Sequence, residues 1–287
     1  MMRLLACLAA AAAVFAAPAL AQSSDWRSVD PNNLLVIDTT RGRILIEMVP
    51  EAAPGHVERM RVLARQGFYD GITFHRVMTG FMAQTGDPTG TGEGDSGLPD
   101  LTAEFTFRRG SEPAYVEVTG SDRGFMRPAG VQLGVYGVLP VQTQPDGQMF
   151  ATRDGRVDAT AWFCPGVVGA ARTAQNINSA NSQFFIMTAS NMSLNGGYTV
   201  WGRVVGPMDA VNMLTAGDPT SGMVPVAQRD RMERVRIASD IPEAERPNVR
   251  VMDVRSPRFA EVVEARRTAQ GARFSICDLN PPAELID

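Results

Sequence analysis

The chain has 287 residues with 27 basic and 31 acidic side chains, a formal net charge of −4. Every basic residue is arginine, which removes Schiff-base chemistry, pyridoxal attachment and the lysine of a phosphate-binding loop. A mildly acidic chain is a poor partner for nucleic acid or anionic membranes. With His56 and His75 its only histidines, no metal site and no cofactor are expected.

Residues 1–21 have the layout of a secretory signal: Arg3 gives a positive start, an apolar run ends at Phe15, and Ala19-Leu20-Ala21 is a small-x-small cleavage site. The mature chain is expected to begin at Gln22 and to work outside the cytoplasm, in the bacterial periplasm. No later apolar stretch approaches the ~20 residues of a transmembrane helix, so no membrane span is expected. Once the signal is removed, Cys164 and Cys277 remain. Sequence gives equal weight to a bond between them and to two free thiols.

After a short leader (22–33), residues 34–49 read as a hairpin. Leu35, Ile37, Ile44, Ile46 and Met48 alternate with their neighbours around a turn at Thr40-Arg41-Gly42. Residues 54–66 predict a helix with Pro54 in its first turn, apolar Val57, Met60 and Leu63 on one stripe, and Gly67 at its end. Residues 81–85, 182–187, 198–205 and 232–237 predict strands, and 208–214 a second short helix. Strands outnumber helices and no βαβ alternation occurs. The expected fold is therefore mainly β, a closed antiparallel β-barrel capped by two helices and spanning 34–240.

Two segments fall outside that barrel. Residues 110–163, rich in glycine, proline and turn formers, predict an insertion with a hairpin near Asp154-Gly155. Residues 241–287 predict a small α+β tail: a strand at 249–254, a helix from Pro257 through Arg267, and a strand at 274–279. Either segment is a candidate surface for a protein partner. Phe259, Val262 and Val263 give the tail helix an apolar face.

Successive strand residues point to opposite faces, so Met82 shares a face with Gln84, and Gln183 shares one with Phe185. Two strands therefore each offer an amide and an apolar side chain close to Arg76. An apolar cup with a few fixed polar donors suits a proline ring and its flanking peptide.

The segments Phe74-His75-Arg76-Val77 with Gly80-Phe81-Met82-Ala83-Gln84-Thr85-Gly86-Asp87, and Ser182-Gln183-Phe184-Phe185-Ile186, resemble the two signatures of the cyclophilin family of peptidyl-prolyl isomerases. That resemblance implies that Arg76 is the catalytic arginine with Gln84 as its polar partner. It implies that Phe81, Met82, Phe185 and Leu194 line a proline pocket and that Gln183 binds substrate backbone. Ala171-Arg172-Thr173 would hold the residue before proline. Tyr198 stands where the family often has histidine, and Ser193 where many members have the tryptophan that contributes to cyclosporin binding. The implied partners are proline-containing segments of client proteins whose folding in the exported compartment the enzyme assists.

Rival readings rest on shorter patterns. Gly94-Asp95-Ser96-Gly97 is similar to the nucleophile loop of chymotrypsin-like proteases and would need His56 or His75 as base. Gly90-Thr91-Gly92-Glu93-Gly94 lacks the spacing of a dinucleotide loop. A third reading is a module that holds prolyl segments without turnover.

Overall fold

The computed structural model describes residues 25–120 and 129–286, so the signal-like segment lies outside the described residues. In chain order, β1 (Trp26–Ser28) leads into the hairpin β2 (Leu34–Thr39) and β3 (Gly42–Met48), then helix α1 (Pro54–Arg65), β4 (Arg76–Met78) and β5 (Met82–Thr85). The next block is β6 (Phe107–Arg109), β7 (Tyr115–Glu117), β8 (Gln132–Tyr136), β9 (Leu139–Thr143) and β10 (Val157–Ala161). Then follow β11 (Val167–Ala170), β12 (Phe184–Met187), β13 (Val200–Val204), helix α2 (Asp209–Asn212) and β14 (Met232–Ile237). The chain ends with β15 (Asn248–Met252), helix α3 (Pro257–Gln270) and β16 (Ala283–Ile286).

The main sheet has eight antiparallel strands in the order β14-β2-β3-β13-β11-β12-β5-β4 and curls strongly. It falls short of the full closure expected. The edges β14 and β4 do not pair along their length. The chain just before each meets the other through the Thr73–Arg231 bridge and backbone bonds such as Phe74 N to Asp230 O, 2.9 Å. The architecture is a curled half-barrel.

Both faces of this sheet are buried, which is why its strands are nearly continuous apolar runs. Leu35, Ile37, Ile44, Ile46, Ala83, Phe184 and Ile186 pack with Val57, Met60 and Leu63 of α1. Leu34, Val36, Leu45, Met82, Phe185 and Met187 point the other way, into a core shared with the second sheet and the C-terminal segment. The period-two reading of β5 and β12 therefore places Met82 and Phe185 on one side and Ala83 and Phe184 on the other.

Helix α1 has no capping side chain at Ala53. Its first free amides are satisfied by Glu104, which accepts from Gly55 N (3.0 Å) and His56 N (3.1 Å) and lies 2.6 Å from His56 Nδ1. Burial alone would raise the Glu104 carboxyl, but these hydrogen bonds bring its pKa below the usual value. Gly67, at φ +67°, ends the helix as its position predicts.

Strands β6 to β10 form a separate five-stranded sheet in the order β6-β10-β9-β8-β7. The Asp154-Gly155 turn lies in the link from β9 to β10, after a 3-10 turn at Asp146–Ala151. The C-terminal segment makes a third sheet, β1-β15-β16, so the leader strand joins the tail. Ser256 caps α3, accepting from Phe259 N at 3.1 Å, and Phe259 and Val263 are buried in the core shared with the second sheet. Residues 274–279 are not the expected strand. Ser275 and Asp278 form a reciprocal capping box that winds Ile276–Asp278 into a 3-10 turn, and the final strand comes later, at β16. A disulfide joins Cys277 of that turn to Cys164, just after β10.

Candidate active site

Strand pairing sets one row across the main sheet: Arg76 opposite Gln84, Gln84 opposite Phe185, and Phe185 opposite Gly169. On a neighbouring row Met78 lies opposite Met82, and Met82 opposite Met187. Side chains of cross-strand partners lie close enough to touch. The two signatures, about a hundred residues apart in sequence, thus meet by register.

Arg76 is half-buried and held at three points. Its Nε donates to Ser221 O at 2.8 Å, Nη1 to Gln84 Oε1 at 3.3 Å, and Nη2 to Met78 Sδ at 3.0 Å. Burial lowers its pKa from the ordinary arginine value and the nearby Tyr198 raises it. No carboxylate pairs with it among the described residues. Its charge therefore remains free to act on a bound group.

Gln84 passes the chain on: its Nε2 donates to Gln183 Oε1 at 3.0 Å. Gln183 Nε2 in turn donates to Gly92 O (3.0 Å) and Gly94 O (2.8 Å). Gly86 makes this approach possible, since a Cβ there would lie 2.4 Å from Ser182 O.

A cavity of about 120 Å3 opens on this row, lined by Arg76, Phe81, Met82, Gln84, Ala171, Arg172, Phe185, Leu194 and Tyr198. Beside it, sharing Gln84, Ala171 and Arg172, is a larger one of about 470 Å3 that reaches Thr173 and Gln183 and is bordered by Glu93, Asp95, Asp100 and Asn181. The structure thus gathers every site residue expected from sequence around two adjoining hollows. Arg172 is fixed by bonds to Gly197 O (2.9 Å) and Thr173 O (2.8 Å), with its guanidinium 4.5 Å from the centre of the Tyr198 ring.

Sequence reasoning missed the wall behind Phe185. The Phe163 ring stacks on Phe185 at 5.6 Å and meets Tyr198 edge-on at 6.4 Å, while Phe185 meets Tyr198 edge-on at 5.7 Å. Phe163 lies at the end of the segment read as an insertion, and no pattern in the sequence ties it to the signatures.

The loop of residues 87–94 is built around Asp87. Burial alone would raise its carboxyl, but hydrogen bonds from the Thr89 hydroxyl and the amides of Thr89, Gly92 and Gly94 hold its pKa at about 2. Below the loop, His75 is fully buried. Burial lowers its pKa, Asp87 raises it, and Arg229 and Arg76 lower it further. A hydrogen bond with the Thr73 backbone raises it in turn, and the ring nitrogens are buried. The protease reading fails on geometry, because Ser96 Oγ donates to Asn181 Oδ1 at 2.5 Å and His56 is bound to Glu104. The glycines at 90–94 lead into irregular chain, with no helix to hold a phosphate.

Comparison with known proteins identifies the family. Residues 34–238 match the family model of cyclophilin type peptidyl-prolyl cis-trans isomerases. A probable peptidyl-prolyl cis-trans isomerase of Brucella suis is 33% identical over 243 residues, covering 81% of this chain and 96% of the relative. Peptidyl-prolyl cis-trans isomerase B of Bacillus subtilis is 29% identical over 176 residues, covering 61% of this chain and 85% of that one. The crystal structure of cyclophilin AquaCyp293 from Hirschia baltica superposes with a TM-score of 0.76 at 33% identity, covering 91% of this chain and 93% of that chain. The fold and site define a prolyl isomerase. The chain belongs to the cyclophilin family and is a peptidyl-prolyl cis-trans isomerase.

Proposed function

We propose that this isomerase acts on prolyl bonds of exported proteins during their folding, with Arg76 and Gln84 as its catalytic pair. The observation that carries the chemistry is the Arg76 guanidinium, free of any carboxylate among the described residues and aimed by Ser221, Met78 and Gln84 at the mouth of an apolar hollow.

No nucleophile is required. The ~20 kcal/mol barrier to rotation comes from amide resonance, and twisting the C–N bond removes that resonance. The prolyl nitrogen then becomes pyramidal and basic. A guanidinium directed at it stabilises the twisted state more than the planar one, and arginine keeps its proton throughout. Phe81, Met82, Phe185 and Leu194 hold the proline ring. Gln84 and Gln183, linked to each other, hold the backbone that must stay still while the carbonyl turns. Ala171, Arg172 and Thr173 border the larger hollow, where the residues preceding proline lie.

The signal-like layout of residues 1–21 supports export to the periplasm. The Cys164–Cys277 bond supports an oxidising compartment, where such bonds persist. Exchange spectroscopy on a prolyl tetrapeptide tests the chemistry: the wild-type chain accelerates exchange and Arg76→Ala does not. Fractionation of cells with N-terminal sequencing tests the location. A mature chain beginning at Gln22 in the periplasm is expected, and full-length protein in the cytoplasm refutes export.

A further inference from the structure

The isomerase pocket is not built by the family signatures alone. Residue 163 touches three of its walls. The Phe163 ring stacks on Phe185 and abuts Tyr198. Its backbone holds the turn that carries Leu194: Phe163 N donates to Asn195 Oδ1 at 2.9 Å, and Phe163 O accepts from Asn191 N at 2.9 Å. The turn Met192–Leu194 lies between these two anchors.

The stack depends on a missing side chain. A Cβ at Gly169 would lie 2.7 Å from both Phe163 Cε1 and Phe185 Cζ, so the rings occupy the space that any larger residue would need. The next residue after Phe163 is Cys164, cross-linked to Cys277. Cys277 sits in the 3-10 turn Ile276–Asp278, whose Ile276 is packed with Phe259, Phe274 and Leu279 of the C-terminal segment. A covalent path thus runs from the C-terminal segment to the back of the proline pocket.

We infer that Phe163 is a positioning residue for isomerisation and that the Cys164–Cys277 cross-link clamps it, so that the C-terminal segment sets how firmly Phe185 and Leu194 grip the proline ring. The inference rests on the assignment of the proline pocket above. A loosened wall leaves Arg76 and the Gln84–Gln183 pair in place but lets the ring shift against them, and misplacements of an ångström or less cost rate steeply. Reduction with a dithiol provides the handle: two electrons and two protons pass to the Cys164 and Cys277 sulfurs, giving two thiols, while the reagent closes to its own disulfide.

The test is exchange spectroscopy on a prolyl tetrapeptide, free of any coupling protease, with the full mature chain oxidised, reduced and reoxidised. Thiol titration and circular dichroism follow each state. Reduction is expected to lower kcat/KM three- to tenfold with the fold retained, and reoxidation to restore it. Phe163→Leu is expected to lower kcat/KM several-fold in the oxidised state and to abolish the response to reduction, which loss of stability alone would not do. Gly169→Ala, whose backbone tolerates any residue, is expected to lower the rate by pushing the two rings apart. Full activity of the folded, fully reduced chain overturns the inference, as does a Phe163→Leu variant with wild-type rate and undiminished redox response. If the reduced chain unfolds, the oxidised Phe163→Leu and Gly169→Ala variants decide: wild-type rates in both overturn it. Methyl shifts of Met82 and Leu194 on peptide addition report separately on the pocket assignment.

Discussion

Arg76 and Gln84 stand opposite one another on β4 and β5, and the guanidinium donates from Nη1 to Gln84 Oε1 at 3.3 Å. With Gln84 Nε2 given to Gln183, the glutamine uses both ends of its amide to connect the charge on one strand to the side chain just before β12. The pairing fixes which way the Gln84 amide faces. A guanidinium held through Nε by a backbone carbonyl and through Nη1 by an amide has little freedom left, so its orientation is set before substrate arrives.

Arg76→Ala is therefore expected to lower kcat/KM by more than tenfold, at least about 1.4 kcal/mol of transition-state stabilisation, with the fold unchanged. Arg76→Lys should not rescue it. An ammonium on a flexible stem keeps the charge but cannot bond Ser221 O and Gln84 Oε1 in the same geometry. A protease-coupled prolyl assay with both variants checks this, and a lysine variant near wild-type rate would show that charge alone suffices.

Gln84 and Gln183 share one hydrogen bond, so their effects on rate should not multiply. Each alanine variant is expected to cost roughly tenfold in kcat/KM, and the double variant clearly less than the product of the two. Non-additivity of 0.5 kcal/mol or more is usual for residues within one network. A double-mutant cycle on kcat/KM measures it, and strict additivity would mean that the two amides act independently.

Most of the curled sheet and nearly all of the pocket are legible in the sequence, for one physical reason. Strands β2, β3, β5, β12, β13 and β14 are short, mostly apolar runs bounded by turn residues, and the two signatures fall on β4, β5 and β12. Strand β11 is not legible: Val167-Val168-Gly169-Ala170 is four residues long and follows Cys-Pro-Gly, a turn pattern. The strand expected at 274–279 gives way to a local contest that Ser275 and Asp278 win by hydrogen-bonding the backbone into a turn. Phe163 reads as one more apolar residue at the end of an irregular segment. Only the fold brings it against Phe185, and sequence spacing carries no trace of that contact.

By the resemblance of the signatures, Ser193 is expected to stand where many family members carry the tryptophan that contributes to cyclosporin binding. It is exposed, and its hydroxyl donates to Asn191 Oδ1 at 2.7 Å, so it offers the drug neither a ring face nor a free donor. A lost aromatic contact of this size removes several kcal/mol of binding in the worst cases. Inhibition by cyclosporin is expected to need concentrations at least a hundredfold above those for a tryptophan-bearing relative, and a titration showing comparably tight inhibition would contradict it.

The Cys164–Cys277 bond closes a loop with a sequence separation of 113 residues. The chain-entropy relation gives about 5 kcal/mol for a loop of that length, an upper figure because native strain and residual structure subtract from it. Urea denaturation of the oxidised and reduced chains is expected to differ by about 2–5 kcal/mol. A difference under about 0.5 kcal/mol would mean that the C-terminal segment is held as well without its cross-link.

Two buried groups make stability depend on acidity in separate windows. His75 has its pKa lowered chiefly by burial, which outweighs the raising effects of Asp87 and of a hydrogen bond with the Thr73 backbone. The native state thus prefers neutral His75, whereas the unfolded chain takes up the proton near pH 6.5. Its contribution is complete above pH 6.5 and shrinks as pH falls below that value toward the lower native pKa. Asp87 acts in the same direction but later, because hydrogen bonds from the 87–94 loop hold its native pKa at about 2 against roughly 3.8 for the unfolded chain. Its contribution is complete above pH 4 and is lost as pH falls through 2. Urea midpoints measured from pH 8 to pH 3 are therefore expected to hold steady to about 6.5, decline below it, and decline again below 4. His75→Gln should remove the first decline and leave the second, and a wild-type midpoint that is flat between pH 6.5 and 5 would show that His75 charges without cost.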